Sequence, residues 1–232
     1  KLGAIGSSDI NLADEVSISY LKVVQKMSKE VDDGTAEYGD IINSVTKEKY
    51  EDEVNFVVVK SFINYKAFDK DTFEMLASGN DKNEFLKSAK TAGLGISEAD
   101  LWKHKFYNFY IIKTDDQMRL CFSLGKTSSK TGKALVNMIA QKCHMHDNPS
   151  FAMVFTAFLQ EEEKNKKKYL VWKVKCDNER PSEKTVQEAL KFRQTMDSQK
   201  VVTADEDLAE EATIEVDDED TKPVKSAKRR KF

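Results

Sequence analysis

The sequence contains little cysteine and no long apolar run. Its three cysteines, Cys121, Cys143 and Cys176, are far apart, which argues against a disulfide scaffold and favours a reducing, intracellular setting. No apolar run approaches the roughly 20 residues that cross a bilayer. The N-terminus lacks a basic block followed by an apolar stretch and a cleavage site, so we expect no secretory signal. At 232 residues, the chain is long enough to bury a core.

Sequence motifs of enzymes are also missing. Six residues separate Gly125 from Gly132, whereas a P-loop has about four, and Ala134 stands where the P-loop needs a hydroxyl for Mg²⁺. There is no G-x-S-x-G elbow. Carboxylates lie in loops and in the tail, away from the apolar segments that would raise their pKa. We therefore expect no enzyme, no catalytic residues and no cofactor.

One short segment, from Cys143 to Asp147 (CHMHD), contains metal-binding residue types. Its ligands are adjacent and lack the paired spacing of a structural zinc site. The third histidine, His104, belongs to another segment. We interpret the segment as the end of a helix and expect no metal site.

The net charge of -3 conceals strong charge segregation. Residues 1–102 carry 12 bases and 19 acids, and residues 103–202 carry 19 bases and 11 acids. Residues 203–220 then carry ten acids and no base, and residues 221–232 carry six bases and no acid. Such asymmetry indicates an anionic partner and a tail that competes with it, while the simpler alternative is a solvated surface with a disordered tail.

Runs of β-branched and aromatic residues predict about six strands. They lie at 16–25, 54–66, 106–113, 118–124, 151–160 and 168–176, with a polar loop over 26–41. One helix is predicted within 127–143, where Leu135, Met138 and Ile139 have helical spacing. Another begins at Pro181 and runs to about Asp197. The residues spaced for its docking are Val186, Ala189, Leu190 and Arg193.

These elements predict a mostly-β fold with a few helices. The expected form is an OB-like antiparallel barrel with an insertion and a C-terminal helix, with an α+β sandwich as the alternative. The expected organisation is a flexible arm over 1–15, a single domain over 16–200 and a disordered tail over 201–232. Residues 67–104 form an insertion or long connection, with one or two short helices.

Basic and aromatic residues are interleaved in several predicted elements. Seven of them fall between Trp102 and Tyr110, namely Trp102, His104, Lys105, Phe106, Tyr107, Phe109 and Tyr110. Proteins bind single-stranded nucleic acid by stacking bases on aromatic rings above a cationic groove, although aromatics on strands are more often core residues. The candidate nucleic-acid-binding residues are Lys60, Phe62, Lys66, Lys126, Lys130, Lys133, Tyr169, Lys173 and Lys175.

Three separate patterns give these candidates. Strand alternation places Lys60, Phe62 and Lys66 on one face together with Phe56 and Val58. In the last strand it places Tyr169, Lys173 and Lys175 opposite the core residue Trp172. Lys126, Lys130 and Lys133 lie at a helix N-terminus, where free N–H groups suit phosphate. The simpler alternative there is a basic loop with a capping Ser or Thr.

The acidic tail is the second candidate interaction segment. Its acids surround the apolar Leu208, Ile214 and Val216, and it cannot fold alone. Such a segment mimics a polyanion and can occupy a cationic groove or bind basic partners. The tail and partner residues are Asp217, Asp218, Glu219, Asp220 and Phe232.

The order of these parts resembles phage-encoded single-stranded DNA-binding proteins, which have an OB fold followed by an acidic tail. The passages that carry the resemblance are YLKVVQKMSKEVDDGTAEYGDIINSVT, SSKTGKALVNMIAQ, YLVWKVKC and PSEKTVQEALKFRQTM. Together they cover most of residues 16–200. One departure is that Phe232 follows four basic residues, whereas tails of that family end in an acidic-aromatic tip.

The resemblance and the charge pattern together predict a single-stranded DNA-binding protein of phage-type replication or recombination. Binding to RNA and homo-oligomerisation are left open. We expect replication or recombination proteins as partners of the tail, no membrane partner, and the cytoplasm of an infected bacterial cell as the location. The alternative is a non-enzymatic interaction or structural module whose acidic tail binds basic partners.

Overall fold

The structure, a computed structural model, describes residues 18–26, 28–69, 75–92, 101–164 and 167–198. Its strands are β1 (Leu21–Val23), β2 (Ile41–Asn43), β3 (Glu53–Asp69), β4 (Met75–Gly79), β5 (Leu101–Lys113), β6 (Arg119–Leu124), β7 (Phe155–Lys164) and β8 (Lys167–Lys175). Its α-helices are α1 (Lys29–Asp32), α2 (Lys82–Ala92), α3 (Ser129–Lys142) and α4 (Glu183–Ser198). The mostly-β prediction with few helices is confirmed. The predicted arm, 1–15, and tail, 201–232, lie outside the described residues.

Six strands form one antiparallel sheet. Its order is β6-β5-β3-β7-β8, and β4 pairs with the distal end of β3. The helix α3 connects β6 to β7, and β3 pairs with both β5 and β7. β1 and β2 form a smaller sheet, which adjoins β6 through a bridge between Tyr20 and Cys121.

The described strands form an open sheet, not a closed barrel. Among the described strands, β6 and β8 are the two edges of this order and do not pair with each other. Two side chains at the start of α3 bind the backbone of β8 instead. The Trp172 N–H donates to Ser128 Oγ over 3.2 Å, and Thr131 Oγ1 donates to the Trp172 carbonyl over 2.6 Å. These bonds satisfy the backbone of Trp172 in β8 and attach that strand to the start of α3.

A bulge in β3 overturns the predicted alternation of its faces. The β3–β5 register shifts between Val58 and Lys60, and an extra residue of this kind reverses the faces that follow it. Phe56 and Val58 therefore belong to one core, whereas Phe62 packs with Val57 and Val59 on the opposite side. The prediction that Phe62 shares a face with Phe56 and Val58 was wrong.

Each face of the sheet has its own core and its own helix. On one face, Phe56, Phe122 and Trp172 pack against Leu135 and Ile139 of α3. The other face packs against α4. Its residues include Val57, Tyr110, Ala189, Phe192 and Met196. Trp172 is therefore a core residue, as predicted.

Three local predictions need correction. The strand predicted over 16–25 is reduced to Leu21–Val23 within the described residues, and the predicted loop contains α1. Leu190 does not dock, since 41% of it is exposed. The buried residues of α4 are Thr185, Ala189, Phe192 and Met196, which recur at the spacing of one helical face.

Candidate nucleic-acid interface

The first turn of α3 joins two distant parts of the sheet. The backbone of α3 lies against the Tyr107 side chain of β5 at Gly132. A Cβ at that position would be only 2.8 Å from Tyr107, so this close approach requires glycine. On the other side, Ser128 and Thr131 bind the backbone of Trp172 in β8. Side chains of β5, α3 and β8 therefore meet around this turn.

Three lysines around the turn have no ion pair within the described part of the chain. Lys105 is exposed, and its Nζ lies 4.5 Å from the centre of the Tyr107 ring. Lys130 and Lys133 project from α3, and both are exposed. The π electrons of the Tyr107 ring attract the Lys105 ammonium. Because Lys105 is exposed, its charge remains accessible to an anion.

The outer face of the β7–β8 hairpin continues this basic region. Lys173 Nζ donates to Glu162 Oε1, and Tyr169 stands directly opposite Glu162 in the β7–β8 register. The hydrogen bond from Lys173 holds the pKa of Glu162 below its usual value, with a smaller contribution from the charge of Lys130. Tyr169 and Lys173 share one face, opposite Trp172, as predicted.

These groups form one continuous region, which we call the α3 surface. Tyr107 contacts Gly132, and the same turn of α3 binds the backbone of Trp172. The next residue in β8, Lys173, binds Glu162, which lies opposite Tyr169. The α3 surface comprises Lys105, Tyr107, Lys130, Lys133, Tyr169 and Lys173. Its positive charge and its partly exposed tyrosine rings are the two kinds of group that bind a single strand of nucleic acid.

Lys66 and Lys126 lie elsewhere, among the aromatic residues of the distal β3–β5 hairpin. Lys66 is only 2% exposed, with its Nζ 5.9 Å from the centre of the Phe106 ring. Lys126 lies 5.7 Å from the centre of the Phe68 ring. Since Lys66 is buried, it cannot contact nucleic acid in this conformation. Lys126 lies over a ring of β3, although it is close in sequence to Lys130 and Lys133.

Lys60 and Phe62 face α4. Lys60 Nζ lies 3.3 Å from Asp197 Oδ1, and the Phe62 ring lies 5.2 Å from that of Tyr110. Arg193 of α4 donates to the Val59 carbonyl over 3.3 Å. The basic side chains here therefore hold α4 against the bulge of β3.

Lys175 lies at the opposite end of β8 from Tyr169. Its Nζ is 3.1 Å from Glu53 Oε1 and 5.8 Å from the centre of the Phe158 ring. The regions of Lys60, Lys126 and Lys173 thus do not form one groove. The structure brings together four of the nine candidates, Lys130, Lys133, Tyr169 and Lys173.

Sequence reasoning did not select Lys105, Tyr107 or Glu162. Lys105 and Tyr107 stood out within the interleaved segment, but nothing in the sequence separated them from their buried neighbours Phe106 and Phe109. The one indication in the sequence is Gly132 within the predicted helix, because a helix that lacks a side chain at one position can pack closely against an aromatic ring.

The segment after α3 forms a short turn, His144–His146, with both histidines exposed. Cys143 is buried, and burial raises the pKa of its thiol. Within the described ranges, no group of three or more His, Cys, Asp or Glu residues could hold a metal ion. Asp217, Asp218, Glu219, Asp220 and Phe232 lie outside those ranges.

None of the described helices is long and apolar enough to cross a membrane. No curated protein and no solved structure matches the chain. Residues 3–202 match a family model described as Pam3 phage gp34-like protein. Because that match covers most of the sequence, this is a phage protein that belongs to the Pam3 phage gp34-like family.

Proposed function

We propose that this phage protein binds single-stranded DNA, without sequence preference, in replication or recombination of the phage genome. It acts without a catalytic site or cofactor, in the cytoplasm of the infected cell. The observation that carries the proposal is the α3 surface, where Lys105 lies over the Tyr107 ring and Lys130 and Lys133 flank the glycine that contacts that ring. None of the three lysines has a carboxylate partner among the described residues. Lys173 and Tyr169 extend this surface along the hairpin.

The lysines neutralise phosphates, and the tyrosines support the bases. Each base stacked on an aromatic ring contributes about 1–3 kcal/mol. Because every base has a π face, stacking does not distinguish sequences. The strand order β6-β5-β3-β7-β8, with a helix between β6 and β7, is compatible with a partly open OB-type arrangement, which supports the same proposal.

The acidic segment, 203–220, carries ten acids and serves as the binding segment for basic replication or recombination proteins. One observation favours the second candidate, an interaction module that ignores DNA. Lys60, Lys173 and Lys175 already hold carboxylates, so the number of basic residues overstates the free positive charge.

A titration of labelled oligo-dT with the full-length protein at several salt concentrations tests the proposal. Four lysines on phosphates predict a slope of log affinity against log salt of about -3, at about 0.7 per contact. A mixed-sequence oligonucleotide should bind within about threefold of oligo-dT. If neither the full chain nor a chain lacking residues 203–232 binds at low salt, the proposal is wrong and the interaction module is favoured.

A further inference from the structure

Glu162 occupies an unusual position on the α3 surface. Its carboxylate accepts a hydrogen bond from Lys173 and stands directly opposite Tyr169, and the charge of Lys130 helps to lower its pKa. An ammonium group bound to the anion, with a phenol opposite it on the next strand, is the kind of polar setting that also holds a phosphate oxygen.

Strand register does not by itself bring Lys173 to this carboxylate. Glu162 stands directly opposite Tyr169, whereas Lys173 stands opposite Phe158, four residues along the strand. The Lys173 side chain must therefore extend along β8, past Val171, to reach Glu162. Both partners remain partly exposed, at 32% and 38% of their side chains. An incoming anion thus has access to the same donors.

We infer that the Glu162 carboxylate occupies a phosphate subsite in the free protein and is displaced by a DNA phosphate when the strand binds. The inference rests on the proposed function and adds a means of regulation to the same surface. Glu162 lowers the affinity for DNA, because Lys173 must leave one anion before it binds another.

The hairpin offers a matched control for the charge that a Glu162 variant removes. Glu161 is the neighbouring residue on the opposite face, and it pairs with Lys168 over 2.7 Å. Glu162→Gln and Glu161→Gln remove the same charge, and each disrupts one lysine pair of the hairpin. Any difference between these two variants in DNA affinity reports on the subsite and not on net charge.

The experiment is a titration of labelled oligo-dT with the full-length wild type, Glu162→Gln and Glu161→Gln at several salt concentrations. We expect Glu162→Gln to tighten binding about threefold to tenfold and to steepen the salt slope by up to about 0.7. Glu161→Gln should stay within about twofold of the wild type. Glu162→Ala, which leaves no amide oxygen for Lys173, should also bind more tightly than the wild type.

Two outcomes would overturn the inference, and they are distinguishable. If the wild type binds but Glu162→Gln and Glu161→Gln have equal affinities, Glu162 does not compete with phosphate, and the proposed function stands. If none of the proteins binds at low salt, the proposed function fails, and the inference fails with it.

Discussion

Lysines on the two faces of the central sheet have different surroundings. On the α4 side, Lys60 Nζ lies 3.3 Å from Asp197, which also accepts a hydrogen bond from Arg193 over 2.9 Å. That bond from Arg193 and a weaker one from Lys60 hold the pKa of Asp197 below its usual value. On the α3 side, Lys130 and Lys133 have no carboxylate partner within the described residues. The same residue type thus stabilises the fold in one place and remains available in the other.

The difference between these faces arises from contacts that are remote in sequence. Asp197 stands 137 positions after Lys60, and Glu53 stands 122 positions before Lys175. Local charge therefore does not reveal which lysines are free. The availability of a lysine for an anion thus depends on the acids that the fold brings to it.

The largest effect on stability is expected at the most buried lysine pair, which Lys22 forms with Glu30. Lys22 and Glu30 are each 5% exposed, and Glu30 also accepts a bond from Lys47 over 2.9 Å. Glu30→Gln should lower the free energy of unfolding at pH 7 by about 3 kcal/mol, because it removes the carboxylate from a buried ion pair. Urea unfolding measures this loss, and a loss below about 1 kcal/mol would place this cluster among the weak surface pairs.

The same cluster predicts an acid dependence. Burial alone would raise the pKa of Glu30, but hydrogen bonds from Lys47 and Lys22 outweigh it and lower that pKa from 4.5 to about 2. A depressed pKa stabilises the fold above about pH 4.5, and this contribution is lost as the pH falls toward 2. Glu30→Gln should therefore reduce the difference in unfolding free energy between pH 6 and pH 3. An unchanged difference would contradict the assignment to Glu30.

The next largest effect is on DNA affinity, and it should differ between aromatic residues on the two sides of the sheet. Tyr107→Leu should weaken binding to oligo-dT by about 1–2 kcal/mol, within the range for one stacked base. Phe62→Leu should leave affinity unchanged and lower stability, because Phe62 packs against Tyr110 on the α4 side. Fluorescence titration and thermal unfolding of both variants measure the two effects. Equal loss of affinity in both would remove the distinction between the faces.

The smallest effect is expected at Lys60. Its pair with Asp197 is partly exposed, at 36% and 51% of the two side chains, and such pairs stabilise a fold by less than about 1 kcal/mol. Lys60→Gln should lower the unfolding free energy by a few tenths of a kcal/mol, less than Asp197→Asn, which also breaks the pair with Arg193, without changing oligo-dT affinity. A loss of affinity above about threefold would assign Lys60 to the DNA interface.

The strands and helices were largely predictable, because they depend on local patterns. Alternation identified the outer face of β8, and helical spacing identified Leu135 and Ile139 as buried residues of α3. The bulge at Val59 was not predictable. Its carbonyl is bound by Arg193 and Ser150, and neither partner is near it in the sequence.

The candidate site was predictable only in part, for the same reason. Helical spacing and alternation found Lys130, Lys133, Tyr169 and Lys173, but they also selected Lys66, which the fold buries. The approach of Gly132 to Tyr107 depends on how α3 crosses the sheet. Only tertiary structure could therefore add Lys105 and Tyr107 to the surface.

The most direct test of the central claim removes two positive charges from each class of lysine and compares the salt dependence of oligo-dT binding. Lys130→Gln/Lys133→Gln removes lysines without a carboxylate partner, and Lys60→Gln/Lys175→Gln removes lysines that Asp197 and Glu53 already bind. Both variants change the net charge equally. We predict that the first variant loses about 1.4 from the salt slope and the second keeps the wild-type slope. Equal slopes in the two variants would contradict the account.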